Sequence, residues 1–334
     1  MTRDTLSDVL RSVRLRGAVF YFVSCGDEWA AEAPPAKEIA AAVMPGVEHV
    51  MEYHVVTKGV GWAAILGQPP VRLEEGDIVM FPHGDPHVIS SAPGLRPTKP
   101  DAAWFFATRD APKPIPIAYQ GAEQISVGTL ALDAQTNIVC GFLGCDLRPF
   151  NPLIATLPRL LRVPAAGEGI WVAQVIQQAV GASRSRRPGA EAVLERMSEM
   201  MFVDAVRRYV DVLPDESKGW LAGLRDRHVG RALALLHDAP ARDWTIEALA
   251  AEVALSRSAF YDRFVQFLGQ PPMQYLTQWR MQVAAKLLRE GRAPVASIAL
   301  EVGYDSEAAF ARAFKRLTGT PPAAWRRERQ ASGA

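Results

Sequence analysis

The chain says one thing twice near its C-terminus, and this repeat restricts the fold more than any other feature. The first copy reads Thr245-Ile-Glu-Ala-Leu-Ala-Ala-Glu-Val253, then Ala-Leu-Ser, then Arg257-Ser-Ala-Phe-Tyr-Asp-Arg-Phe264, then Gly269-Gln-Pro-Pro272. The second reads Pro294-Val-Ala-Ser-Ile-Ala-Leu-Glu-Val302, then Gly-Tyr-Asp-Ser, then Glu307-Ala-Ala-Phe-Ala-Arg-Ala-Phe314, then Gly319-Thr-Pro-Pro322. Ile246, Leu249, Ala250 and Val253 correspond to Val295, Ile298, Ala299 and Val302, each 49 residues on. After the turn the offset is 50, which matches Phe260 to Phe310, Phe264 to Phe314 and Gly269 to Gly319. A unit repeated at a fixed period is one supersecondary element used more than once.

The residues of the second copy dictate its shape. Val295, Ile298, Ala299 and Val302 fall at i, i+3, i+4 and i+7, the buried stripe of a short helix. Pro294 suits the first turn, where the missing N–H has no helical partner to lose. Gly303 can take positive φ and end that helix. Ser306 can cap the next one. Phe310, Ala313, Phe314 and Leu317 then form a second buried stripe, stopped by Gly319 and Pro321. Two short helices joined by a tight turn, with Ala250 or Ala299 where the pair must approach closely, form a helix-turn-helix. The outer face of the second helix is then free to enter a major groove. A pair of helical hairpins with no DNA role is the alternative, and the shared caps, turns and Phe-x3-Phe pairs weigh against it.

Charge follows the same division. The 334 residues carry 37 Lys/Arg and 36 Asp/Glu. From Arg225 onward there are 16 basic and 11 acidic residues, net +5, and the remainder is net −4. A basic C-terminal part suits a module that binds DNA phosphates. Hydrophobic content of 49% and charged content of 22% are those of an ordinary globular protein. No apolar run reaches the length of a membrane span, and no signal peptide is evident at the start. Three cysteines, an odd number, argue against a disulfide framework and for the reducing cytoplasm.

The N-terminal part reads differently. Residues 5–14 form an amphipathic helix, with Thr5 and Asp8 spaced nearly as a capping box. Residues 18–24 form a buried strand. From Val47 to Arg109, short β-type runs alternate with Gly and Pro: Tyr53–Thr57, Gly61–Leu66, Val71–Leu73, Asp77–Phe81, His87–Ser90 and Ala103–Thr108. Such spacing predicts a sandwich or barrel. Phe150–Leu161 reads as a linker. Helices are expected at Gly169–Val180 and from Glu191 to about Val212. Between them lies a basic loop with Arg184, Arg186 and Arg187. The second helix has a broad apolar face, including Val193, Met197, Met200, Met201, Val203 and Val210, which must be covered by something. Trp220–Ala239 is expected to be the leading helix of the DNA module. Cys140 and Cys145 are the pair for a reversible disulfide, or else small buried apolar residues.

The run Glu301 to Arg326, Glu-Val-Gly-Tyr-Asp-Ser-Glu-Ala-Ala-Phe-Ala-Arg-Ala-Phe-Lys-Arg-Leu-Thr-Gly-Thr-Pro-Pro-Ala-Ala-Trp-Arg, resembles the signature of AraC-type transcription regulators. The resemblance covers about the last hundred residues. It implies two helix-turn-helix subdomains joined by a long helix, here Met273–Glu290, whose recognition helices enter successive major-groove segments about 34 Å apart. On the first such helix, the resemblance puts Ser258, Tyr261 and Asp262 at base-reading positions, flanked by Ser256, Arg257 and Arg263. Asp262 stands where many members carry Arg, and an acid there can accept from a cytosine amino group. On the second, Glu307, Ala308, Ala311 and Arg312 face outward, with Arg312 the candidate for a bidentate guanine contact. Lys315 and Arg316 are expected on phosphates. Ser306, like Ser256, would cap its helix and leave N–H groups for phosphate.

A second resemblance lies upstream. Gly76, Pro82, Gly84 and His87, at the spacing Gly-x5-Pro-x-Gly-x2-His, match the second motif of the cupin barrel. Glu52-x6-Gly59 matches the end of the first motif. This resembles the AraC-type regulators whose sensor is a cupin. In metal-binding cupins a His-x-His, a Glu and a later His hold one divalent ion. Here Glu52 and His87 match, and the His-x-His is absent. The candidate metal set is therefore His49, Glu52 and His87, with His54 and His83 as substitutes. Imidazole and carboxylate suit Zn, Fe, Ni or Mn. The alternative is a barrel that binds an organic effector near His54, Trp62, His83 and His87.

The expected fold class is therefore α+β: an N-terminal cupin-like β-barrel or jelly roll (1–160), a helical connector and dimerisation region (161–219) and a C-terminal all-α tandem helix-turn-helix domain (220–334). The expected function is a cytoplasmic, sequence-specific transcription regulator and not an enzyme. Its implied partners are double-stranded DNA, a small effector, a second copy of the chain and RNA polymerase. The rival reading is a cupin metalloenzyme, dioxygenase- or isomerase-like, with an appended DNA-binding module.

Overall fold

The computed structural model describes residues 4–97, 103–120, 125–165 and 188–331. The helix expected at Gly169–Val180 and the arginines at 184, 186 and 187 lie outside these residues. The chain divides into two compact units. One is Leu15–Asp146 with Leu157–Asp211, and the other is Met1–Arg14, Leu147–Thr156 and Val212–Ala334. The boundaries expected at 160 and 219 do not describe this division, because the DNA-binding unit is assembled from three stretches of chain.

In chain order the described elements begin with α1 (Thr5–Ser12), β1 (Arg16–Cys25), β2 (Ala30–Ala33), α2 (Ala36–Val43), β3 (His49–Lys58) and β4 (Gly61–Ile65). They continue with β5 (Val71–Leu73), β6 (Ile78–Phe81), β7 (His87–Ser90), α3 (Ala103–Ala107), β8 (Ile115–Tyr119), β9 (Ile125–Val127), β10 (Thr136–Cys145) and β11 (Leu161–Val163). The helices that follow are α4 (Ala190–Asp211), α5 (Trp220–Arg225), α6 (Arg227–Asp238), α7 (Ile246–Glu252), α8 (Arg257–Leu268), α9 (Pro272–Glu290), α10 (Val295–Glu301), α11 (Glu307–Thr318) and α12 (Pro322–Ala331).

The β unit has two sheets, a seven-stranded one in the order β11-β6-β3-β10-β1-β8-β9 and a four-stranded one in the order β2-β7-β4-β5. All pairings are antiparallel except β1 with β8. β1 is buried from Val19 to Cys25, as a central strand covered on both faces must be. Helix α4 lies against β1 at Gly17, where a Cβ would meet the Ser198 Cβ at 2.5 Å. The Ser198 hydroxyl is 2.6 Å from the Tyr53 hydroxyl, so a polar bond ties helix to sheet there. Met201, Phe202 and Val206 of α4 are buried, whereas Val193 and Met200 are about half exposed.

Several local expectations give way to the structure. The run Ala103–Ala107 is a short helix and not a strand. Its Trp104 and Phe105 pack on the Tyr21 ring, at centroid distances of 4.7 and 6.0 Å. Apolar bulk there serves packing, and no strand pairs with it. Asp4, not Thr5, caps α1 by accepting from the Ser7 N–H. The expected helix Trp220–Ala239 is two helices, because Asp226 leaves the helical conformation and caps α6 through the His228 and Val229 N–H groups. Cys140 and Cys145 are both buried on β10, and neither is in a disulfide. Five residues apart on an extended strand, they point to opposite faces and stand about 16 Å apart, so this strand forbids a disulfide between them.

In the helical unit, α1 packs on α6 and α9. The buried Gln282 of α9 joins the three stretches of chain. Its side-chain N–H donates to the Ser12 carbonyl at 3.0 Å, and its carbonyl accepts from the Phe150 N–H at 3.0 Å. Tyr275 makes a second buried node: its hydroxyl accepts from the Trp220 indole at 2.9 Å and lies 2.8 Å from His237 Nε2.

Candidate nucleic-acid interface and ligand cavity

The two sequence copies fold into two helix-turn-helix pairs, α7–α8 and α10–α11, joined by α9. Their caps repeat. Ser256 accepts from the Ala259 N–H and Ser306 from the Ala309 N–H, both at 3.3 Å. Gly269 and Gly319 close α8 and α11 in the left-handed conformation. The aromatic pairs repeat as well: Phe260 with Phe264 at 5.7 Å, and Phe310 with Phe314 at 5.6 Å, all fully buried. Truncating one such ring to Ala costs about 3–5 kcal/mol. Arg280 of α9 pins the second turn by donating to the carbonyls of Pro240, Gly303 and Arg242.

With the phenylalanines inward, the outer faces are fixed. On α8, Arg257, Ser258, Tyr261, Asp262 and Arg263 are exposed, as is the cap Ser256. Two of the cations are already engaged. Arg257 pairs with Glu247 at 2.8 Å, and Arg263 makes a bidentate pair with Asp226 that comes as close as 2.5 Å. The Arg263 guanidinium holds the Asp226 carboxyl below its usual range against the opposing effect of burial. On α11, Ser306, Glu307, Ala308, Arg312, Lys315 and Arg316 are exposed, and Ala311 is half-buried. Among the described residues, no carboxylate pairs with Arg312, Lys315 or Arg316. Three free cations therefore lie along one helix, while the other presents a hydroxyl, a phenol and a carboxylate beside neutralised arginines.

The β unit holds a cavity of about 370 Å³ lined from both sheets. Its wall is largely apolar and aromatic, with Tyr21, Trp104, Phe105, Ile117, Tyr119 and Phe142 among the lining. Its polar end is formed by Glu52 and His54 of β3 and His87 of β7. β3 presents Glu52 and His54 together because residues two apart share a face. One donor atom from each of the three lies within 4.8 Å of the others.

Hydrogen bonding fixes the tautomers here. His87 Nδ1 is 2.9 Å from the Asp85 carbonyl, which can only accept, so that nitrogen carries the proton. His87 Nε2 is then an acceptor, and His54 Nε2 donates to it at 2.8 Å. His54 Nδ1 is left with a lone pair and no partner, and Glu52 Oε1 also has none. Burial pushes the Glu52 carboxyl up to about 8 and His87 down to about 4, and burial with the neighbouring His87 lowers His54 well below its usual range. Burial thus disfavours the charged form of each of the three groups.

The other site residues expected from sequence lie elsewhere. His49 Nε2 is 2.6 Å from the Pro82 carbonyl and does not join Glu52 and His87. It stands three residues before Glu52, on the opposite face of β3, and His54 supplies the second imidazole. His83 is held by the Leu157 carbonyl at 2.9 Å. Trp62 lines a separate shallow depression with Arg96. Cys140 does line the cavity, and burial, with Cys25 and Glu52 nearby, raises its thiol well above its usual range. That is the signature of an inert buried thiol. Sequence reasoning missed the aromatic wall. Nothing local marks it, since its members come from β1, α3, β8 and β10.

The donor set fits a divalent cation. Two imidazoles and a carboxylate are suitable ligands, and two of their polar atoms lack partners.

Tandem helix-turn-helix pairs and a double β-sheet with cupin motifs define a class, the DNA-binding regulators that carry a β-barrel domain. Family models agree: a cupin model matches residues 4–211, and a helix-turn-helix domain model matches residues 249–328. The chain is 33% identical over 326 residues to a putative AraC-like transcription regulator of Streptomyces lividans, covering 97% of this chain and 98% of the relative. It is 26% identical to the HTH-type transcriptional regulator AlkR of Acinetobacter baylyi, covering 97% and 99% of the two chains. Among solved structures, the DNA-binding domain of AdpA in complex with a target DNA is 30% identical and covers 32% of this chain and 95% of that one, with a TM-score of 0.31. The chain belongs to the AraC-type transcription regulators. It is a DNA-binding transcription regulator and not an enzyme, and no described helix is long and apolar enough to cross a membrane.

Proposed function

We propose that the regulator reads its operator with α8 and α11, that a small organic effector in the β cavity controls it, and that it works as a homodimer. The free cation row on α11 carries the DNA part. Arg312 is set for base contact, and Lys315 and Arg316 for phosphate. Ser258, Tyr261 and Asp262 on α8 supply neutral and accepting groups. The half-exposed Val193 and Met200 on α4 support the homodimer, since an apolar helix face in solvent is costly. RNA polymerase is the partner through which bound regulator would act, and the reducing cytoplasm is where its thiols would remain free.

The cavity carries the effector part. A volume of this size, apolar with a few convergent polar groups, is the usual form of a small-molecule site. A divalent cation held by Glu52, His54 and His87 is the second reading, favoured by their donor set. Such an ion would supply Lewis acidity to a bound oxygen.

The test is direct. Genome-wide mapping supplies the operator, and gel-shift titration measures affinity with and without apolar small molecules. Ile125, half exposed at the cavity wall, is replaced by Trp to crowd the cavity without overfilling the core. The expected result is an effector-dependent change in DNA affinity for the natural chain and little change for Ile125→Trp. Equal responses from both proteins refute control through the cavity.

A further inference from the structure

The outer face of α8 carries an acid that the scaffold does not use. Asp262 is exposed, and its carboxylate has no hydrogen-bond or ion-pair partner among the described residues. The two arginines of the same helix do not neutralise it. Arg257 lies five residues before it and Arg263 one after, and neither spacing brings side chains together on a helix. Each arginine is also committed to another acid. Arg257 Nε is 2.8 Å from a Glu247 oxygen. Arg263 makes a bidentate pair with Asp226. Asp226 is itself anchored, since it accepts from the His228 and Val229 N–H groups to cap α6.

The internal repeat says where Asp262 points. Phe260 and Phe264 of α8 correspond to Phe310 and Phe314 of α11, and all four are fully buried. The same offset of 50 sets Asp262 on Arg312. The two side chains occupy the same place on equivalent helices and carry opposite charge. Where Arg312 calls for acceptors in the groove, Asp262 calls for a donor. Val265 and Gln266 stand where α11 has Lys315 and Arg316, so those two phosphate-seeking cations are missing beside the acid. An acid set against a polyanion weakens binding, and only a specific donor offsets that loss.

A carboxylate accepts and cannot donate. In the major groove guanine shows N7 and O6 and thymine shows O4, all of them acceptors that repel it. Adenine and cytosine each show an amino group. The adenine amino group lies beside the N7 acceptor of the same base, whereas cytosine has a C–H beside its own. We infer that Asp262 makes the regulator require cytosine at one position of the operator half that α8 covers, by accepting from the N4 amino group. This rests on the proposed reading of the operator by α8.

Gel-shift titration of the full chain tests it, using a duplex found by genome-wide mapping with every base pair replaced in turn by the other three. The natural chain should prefer cytosine at one position by at least about fivefold. That position should differ from those whose preference changes in Arg312→Ala. In Asp262→Ala the preference should fall below about twofold, while affinity for duplexes lacking that cytosine holds or rises, because no acid opposes the phosphates. In Asp262→Asn the preferred base should become adenine, whose N6 and N7 suit an amide. Lost packing would not exchange one preferred base for another. Cytosine preference kept in Asp262→Ala, or absent from the natural chain, overturns the role of Asp262. If Ser258→Ala or Tyr261→Ala then shifts a base preference, α8 still reads the operator. If no substitution on α8 shifts any preference, reading by α8 falls as well.

Discussion

In the first helix-turn-helix the turn residue is Ala254, at φ +55°; in the second it is Gly303, at φ +83°. The first copy neutralises its arginines with Glu247 and Asp226, while the second leaves Arg312, Lys315 and Arg316 unpaired among the described residues. Yet caps, aromatic pairs and terminal glycines coincide. The scaffold is thus held in common and the surface is not. The second copy is built around a glycine it cannot do without and carries the cations. The first tolerates a strained alanine and offers a hydroxyl, a phenol and an acid. The two outer faces thus differ in charge, with unpaired cations on α11 and neutral or accepting groups beside paired arginines on α8.

The largest expected effect breaks the symmetry at the turn. A Cβ at Gly303 would meet the Ala241 carbonyl oxygen at 2.8 Å and the Arg280 guanidinium at 2.9 Å, on top of the left-handed backbone. Gly303→Ala should destabilise the helical unit by about 3 kcal/mol, read as a lower urea midpoint. A loss below about 1 kcal/mol would show that the turn can relax and that the two copies are not so different. Next comes the contrast in cations. Arg312→Ala should weaken operator binding by about 1–3 kcal/mol, roughly fivefold to 150-fold in a gel-shift titration. Arg257→Ala, whose cation is already paired, should cost much less. Equal losses would contradict the unequal assignment. The smallest effect is Ala254→Gly, which relieves about 1–2 kcal/mol of backbone strain against the extra entropy of glycine. The urea midpoint should rise by less than about 1 kcal/mol equivalent, and a fall would mean that Ala254 sits without strain.

How much of this was legible beforehand depends on range. The helix-turn-helix pairs were readable because every determinant lies within a dozen residues: Ser256 before Phe260 and Phe264, Ser306 before Phe310 and Phe314. The β unit was half readable. Glu52 and His87 stood out by motif spacing, while His54 as their companion required knowing that β3 faces β7 across the cavity. The central strand β10 went unread because Gly141 and Gly144 interrupt its apolar pattern. The structure gives the reason, since a Cβ at Gly144 would meet Val47 at 2.6 Å and one at Gly141 would run into the Tyr53 ring. The glycines clear room for neighbours remote in sequence. The division of the chain was hidden for a similar cause. Nothing in residues 4–14 announces that they pack on α6 and α9.

That arrangement bears on how the protein is dissected. Gln282 satisfies both ends of its carboxamide with backbone from Ser12 and Phe150, so a recombinant piece begun at Trp220 would sever both anchors at once. It would uncover the underside of α9, the very strut that spaces the two reading heads. Truncation would then imitate a loss of DNA recognition that belongs to the scalpel and not to the molecule.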